Sequence, residues 1–148
     1  MIEKPIAWTT RYTTFTNAKL RKAIRSSGRR KCAPGGSAVY DAIVESALEI
    51  GKREGRRALI VFSDGEDNAS AHHLLDAIET AQQAGATVFC LHYTEIKKGV
   101  WTASNKHGRS VMNRVAVETG GIDFEAGGNG DPRQAFREIA AMLRSSYD

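Results

Sequence analysis

Asp64, Glu66 and Asp67 follow directly on Ala58-Leu59-Ile60-Val61-Phe62-Ser63, an apolar run of strand length. Clustered carboxylates are hard oxygen donors, the type that Mg²⁺ and Ca²⁺ take. An apolar run without alternation reads as a strand buried on both faces, as in a parallel sheet. In open α/β sheets ligands bind just beyond the carboxyl ends of the strands, which is where these acids fall. The same residues also suit a plainer task, the capping of a helix that begins near Ser70.

A second segment bears on that choice. It reads Pro34-Gly35-Gly36-Ser37-Ala38-Val39-Tyr40-Asp41-Ala42-Ile43. Paired glycines permit a tight backbone turn, and Ser37 suits the N-cap of the helix that follows. Its hydroxyl can also ligate a cation. With both segments in view, the chain resembles the von Willebrand factor type A domain family. It is most similar to bacterial members, which carry Gly-Gly-Thr-x-x-Tyr-Asp-Ala-Ile and, later, a strand ending in Ser-Asp-Gly-Glu-Asp. The resemblance implies a doubly wound, mostly parallel α/β sheet of Rossmann type, helices on both faces, with a metal-ion-dependent adhesion site at its upper edge. It places Ser37 at the family's threonine position and Asp64 at its second aspartate. In a complete site of that kind, Ser37 ligates Mg²⁺ directly and Asp64 directly or through water. Gly35, Gly36, Glu66 and Asp67 then form the rim. The ion's open position captures an acidic side chain of a protein partner, so the implied role is recognition, not catalysis.

The likeness runs over roughly residues 10–147. Thr14-Phe15-Thr16-Asn17 with Leu20 and Ile24 resembles the junction before the glycine turn, and Thr87 to Tyr93 the next core strand. Val111 to Gly121 followed by Ile122-Asp123-Phe124 is similar to the family's helix, Thr-Gly-Gly and last strand. Ala135 to Arg144 and Tyr147 resemble its closing helix. One departure stands out, because Asp-x-Ser-x-Ser, the source of most metal ligands in the family, occurs nowhere in this chain. The expectation is a single partial domain over residues 1–148, whose first strand, first helix and second strand are missing. A fragment, a mis-called start or a domain that has shed its metal site would each have this form. Two ligands are too few for tight Mg²⁺ binding, since octahedral coordination of a reluctantly dehydrating ion needs several fixed oxygens. The missing strands would lie between a strand near 6–14 and the one at 58–63. That leaves an open ladder on 58–63, to be closed by the N-terminal strand or by self-association.

Composition fits one globular unit. A chain of 148 residues can bury about two-thirds of its unfolded surface. The hydrophobic fraction of 41% and charged fraction of 26% are near the globular norm. No run approaches the roughly 20 apolar residues that cross a bilayer, and the N-terminus lacks a signal-peptide core. Cys32 sits in a basic stretch and Cys90 in an apolar strand, a pair that does not suggest a disulfide framework. Residues 1–57 carry 13 Lys/Arg against 5 Asp/Glu, whereas residues 58–148 carry 8 against 12. The basic run Arg25, Arg29, Arg30, Lys31 reads as a solvated loop. Nucleic-acid binding is not expected, for aromatic stacking platforms and known motifs are lacking. Lys52, Arg53, Arg56 and Arg57 fall where cations complement a helix C-terminus.

The elements that must position these residues alternate between strand and helix, which implies a parallel α/β sheet. A strand near 6–14 leads to a helix over 17–26, and a turn at 33–36 to a helix over 37–53 with Val39, Ile43, Ala47 and Ile50 on its apolar face. Strand 58–63, helix 70–84 ended by Gly85, and strand 86–93 come next. An exposed loop spans 94–108, then a helix 108–118, a short strand 122–125 and a helix from Pro132. His72 and His73 diverge by roughly 100° on a helix and cannot share one ion well. His92 ends an apolar strand at the same sheet edge as Asp64. The alternative to a recognition module is a metal-free, degenerate scaffold domain. A metal-dependent hydrolase built on Asp64 and His92 ranks below both, unsupported by any nucleophile elbow, phosphate loop or paired-histidine motif.

Overall fold

A computed structural model describes residues 37–93, 103–127 and 130–145. Over these residues the chain is mixed α/β, with three parallel strands and four helices. Helix α1 spans Val39–Gly51, β1 Arg57–Ser63, α2 Leu74–Gln83 and β2 Ala86–His92. Helix α3 spans Ala103–Glu118, β3 Asp123–Glu125 and α4 Pro132–Ser145. The sheet order is β1-β2-β3, with Val61 beside Cys90 and Cys90 beside Asp123. One step up the sheet, Ser63, His92 and Glu125 form the last row. The expected strand 6–14, helix 17–26, glycine turn and basic run lie outside the described residues, as do Gly35, Gly36 and Cys32.

Side-chain alternation divides the core in two. Leu59, Val61, Val88 and Cys90 point to one face, where α1, α2 and α3 bury Ile43, Ala47, Ala77, Ile78, Met112 and Val115. Ala58, Ile60, Phe89, Leu91 and Phe124 point to the other, covered by Ala135 and Ile139 of α4. Helices on both faces of a parallel sheet are what the unbroken apolar runs of β1 and β2 require. Cys90 is a free, buried thiol, and burial pushes it well above the ordinary thiol range. Among the described residues the outer ladder of β1 meets no strand, and Phe62 on that strand is 61% exposed.

Two expectations shift. Helix α3 starts at Ala103, not at residue 108, and Gly108 lies inside it. Helix α2 starts at Leu74 instead of Ser70, with the Asp76 carboxylate accepting the backbone N–H of His73 at 2.7 Å. Of the basic residues after α1, none lies in its last turn, and Arg57 belongs to β1. Arg57 donates through Nε to the Arg53 carbonyl and through Nη1 to that of Ala84, just past α2.

Register at β3 depends on the Thr119-Gly120-Gly121 turn. The Thr119 hydroxyl accepts the Val88 N–H at 3.0 Å, and the Cys90 N–H donates to the Ile122 carbonyl at 3.0 Å. A Cβ on Gly121 would sit 1.9 Å from the Val88 carbonyl oxygen, so only glycine lets β3 come this close. This turn sets Asp123 beside Cys90 and thereby diagonal to His92.

Candidate functional site

The C-terminal edge of the sheet holds two polar clusters. At the end of β1, the Ser63 hydroxyl accepts the Gly65 N–H, and Asp64 Oδ1 accepts the Glu66 N–H at 3.0 Å. Gly65 has φ of +79°, a conformation that L side chains rarely adopt. Asp64 and Glu66 are exposed, while Asp67 is half-buried and turned the other way. Asp67 Oδ2 accepts the Tyr40 N–H at 2.9 Å and the Ser70 hydroxyl at 2.5 Å, and Oδ1 accepts the Ser70 N–H at 3.1 Å. Asp67 therefore caps the N-terminus of α1 from a distant loop, satisfying a helix donor that has no partner inside the helix.

Ser37 does not perform the N-cap role expected of it. The cap residue of α1 is Ala38, which offers no side-chain acceptor, and the Ser70 hydroxyl accepts the Asp41 N–H instead. Ser37 is tied to the acidic loop by its backbone. Its N–H donates to Asn68 Oδ1 at 2.8 Å, and its carbonyl accepts from the N–H groups of Asn68 and Ala69. Asp41 closes the same lattice by accepting from the N–H groups of Ala71 and His72 and the His72 ring nitrogen. The hydrogen bond from Ala71 is the chief reason that the Asp41 carboxyl sits below its ordinary range.

The second cluster lies over β2 and β3. His92, Asp123 and Glu125 share the face of the sheet covered by α3, because they continue the alternation that puts Val88 and Cys90 there. His92 Nδ1 and Asp123 Oδ1 are 2.9 Å apart, with side chains only 3% and 4% exposed. Burial raises the Asp123 carboxyl above its ordinary range, opposed by the hydrogen bond from His92 and by the charges of His92 and Arg109. The opposite ring nitrogen, His92 Nε2, is buried and has no hydrogen-bond partner. His92 also lines a groove of about 500 Å³, whose α3 wall carries Lys106, Arg109, Ser110 and Asn113 and whose sheet wall carries Asp123 and Glu125.

No family model and no curated protein matches the chain. Among solved structures it is similar to an aerotolerance-related membrane protein from Bacteroides fragilis, crystallised with multiple mutations to serines. That likeness has a TM-score of 0.62 at 18% identity and covers 88% of this chain and 71% of the other. An uncharacterized membrane spanning protein from Vibrio fischeri aligns over 91% of this chain and 68% of its own, at 16% identity and a TM-score of 0.44. The first of these establishes a shared fold. No helix among the described residues is long and apolar enough to cross a membrane.

Of the residues singled out by sequence, Ser37, Asp64, Glu66 and Asp67 gather at the end of β1, held by the bonds given above. His92 sits apart from them at the end of β2, engaged with Asp123. Asp123, Lys106, Arg109 and Asn113 went unnoticed as site residues. A signal existed in the period of two: Cys90 and His92 share a face, as do Asp123 and Glu125. The pairing register that brings the two sets together is not written in either segment.

Proposed function

We propose that this chain is a von Willebrand A-like module that recognises a protein partner at the C-terminal edge of its sheet. The observation that carries the reading is the lacing of the Asp64–Ser70 loop onto Ser37 and Tyr40, about thirty residues earlier in the chain. Two segments chosen for their resemblance to one family's binding edge meet at one edge here, on a fold shared with the Bacteroides protein. Ser37 and Asp64 form the centre of the recognition surface in this reading, with Glu66 at the rim. Asp67 serves as its fastening.

The residues present do not fit a self-sufficient Mg²⁺ site. Asp67 has turned its carboxylate to the helix cap, and Asp64 spends one oxygen on its own turn. The described residues include no group of three or more His, Cys, Asp or Glu placed to share an ion. Recognition in this chain is therefore assigned to the polar surface itself. Isothermal calorimetry is expected to find Mg²⁺ affinity weaker than about 1 mM, unchanged in Asp64→Ala. A tight, Asp64-dependent heat would instead restore the metal-centred version. Self-association through the outer ladder of β1 is a separate part of the proposal, and sedimentation of wild type against a Phe62→Lys variant tests it.

A further inference from the structure

The outer side of β1 is patterned to match a reversed copy of itself. The Tyr93 N–H donates to the Ser63 carbonyl at 3.0 Å, in the parallel register that sets Ser63 beside His92. Arg57, Leu59, Val61 and Ser63 therefore turn their backbone groups toward β2. Successive residues of a strand turn those groups to opposite sides, so Ala58, Ile60 and Phe62 carry theirs on the outer ladder, where no described strand takes them. The same three side chains share the α4 face, with Ala58 and Ile60 partly buried and Phe62 exposed. The extended segment is symmetric about Ile60. Gly55 and Gly65, at φ of +88° and +79°, turn the chain at its two ends. Arg56 stands just inside the first glycine and Asp64 just inside the second, both exposed. Arg56 Nη1 donates to the Leu143 carbonyl at 3.4 Å and Asp64 Oδ1 accepts the Glu66 N–H, contacts that neutralise neither charge.

We propose that two copies of the chain pair antiparallel through β1 about a two-fold axis at Ile60, joining their sheets edge to edge. This rests on the self-association reading above and adds the register to it. Ile60 then faces Ile60 of the second copy, Ala58 faces Phe62, and Arg56 faces Asp64. Each outward-facing residue meets another, so every such pair exchanges both backbone hydrogen bonds, as antiparallel pairing requires. On the α4 face the exposed Phe62 ring meets a small alanine and lies diagonal to Ile60 of the second copy. The charge pair forms twice, once on each side of the axis. A slip of one residue would set outward groups against inward ones. A slip of two would oppose Asp64 to Glu54 in one direction and to apolar Ala58 in the other. Such a contact is isologous: it consumes the outer ladder of both copies and closes at two, which removes the hazard of an open edge.

The test is sedimentation equilibrium of the intact chain beside Arg56→Glu, Asp64→Lys and the double variant, with thermal melts to confirm that each folds. Wild type is expected to form a dimer. Each single variant sets like charges together at both ends of the pairing and is expected to raise Kd about tenfold. The double variant exchanges the two charges and is expected to return to within about twofold of wild type. Amide hydrogen exchange supplies the second readout, with protection at Ala58, Ile60 and Phe62 expected to grow with protein concentration. A dimer in which the two losses add in the double variant overturns this register and leaves self-association standing. A monomer at every concentration overturns both, and protection of the same three amides in that monomer assigns the ladder to another segment of the same chain.

Discussion

The two polar clusters at the top of the sheet differ in what they have left to offer. The one after β1 is rich in acids, yet Asp67, Asn68, Ser70 and Asp41 are all occupied with backbone N–H groups of α1 and its loop. The one over β2 and β3 holds fewer acids but includes a buried, unpartnered ring nitrogen on a residue that lines an open groove. Abundance of functional groups is thus a poor guide to available chemistry. A carboxylate that caps a helix is spent, while a single oriented imidazole is not.

The largest effect is expected where the clusters touch. Gly65→Ala would place a Cβ 2.2 Å from the Gly108 carbonyl oxygen of α3, on a residue already at positive φ. A loss of about 3 kcal/mol or more in denaturant melts is expected, with signals of both clusters perturbed. A response confined to the β1 loop would mean that the two clusters are not joined at this contact.

A smaller effect separates two neighbouring acids. Asp67→Ala removes the acceptor for Tyr40 and Ser70 and is expected to cost about 1–2 kcal/mol, as the loss of a helix cap does. Asp64→Ala removes one exposed turn bond and is expected to cost under about 0.5 kcal/mol. Equal losses in urea unfolding would erase the distinction between fastening and surface.

The smallest effect is a pH dependence. Asp41 titrates below its ordinary range in the folded chain, so its stabilising contribution is present above the unfolded-state value. It is lost as pH falls through the lowered value. Asp123 has the opposite sign, since its raised carboxyl favours the folded state at low pH and loses that advantage as pH rises through the raised value. Asp41→Asn is expected to flatten the acid limb of a melting-temperature profile while leaving the Asp123 limb in place.

Much of the fold was legible because β1 and β2 are apolar on both faces, a pattern few alternatives share. Their ends fall within a residue of those expected from the sequence. The start of α3 was not legible. Its first turns carry Ser104, Asn105, His107 and Gly108, whose helix propensities are poor. Tertiary contact overrides that preference, for Gly108 is buried against the Asp64–Gly65 turn. The same boundary hid the basic row of the groove. Asp67 looked like Asp64 in sequence because its partner, the N–H of Tyr40, lies 27 residues earlier.

The meeting of Gly65 and Gly108 has a mechanical consequence. A Cβ on Gly108 would lie 2.1 Å from the Asp64 carbonyl oxygen, so bare backbone presses on bare backbone with no side chain between. Most packed contacts are made by side chains, which have rotamers to change. No such cushion exists at this joint. The turn that carries Asp64 and the helix that carries Lys106 and Arg109 therefore meet through backbone alone, and the spacing between loop and groove rim is set by main-chain contact.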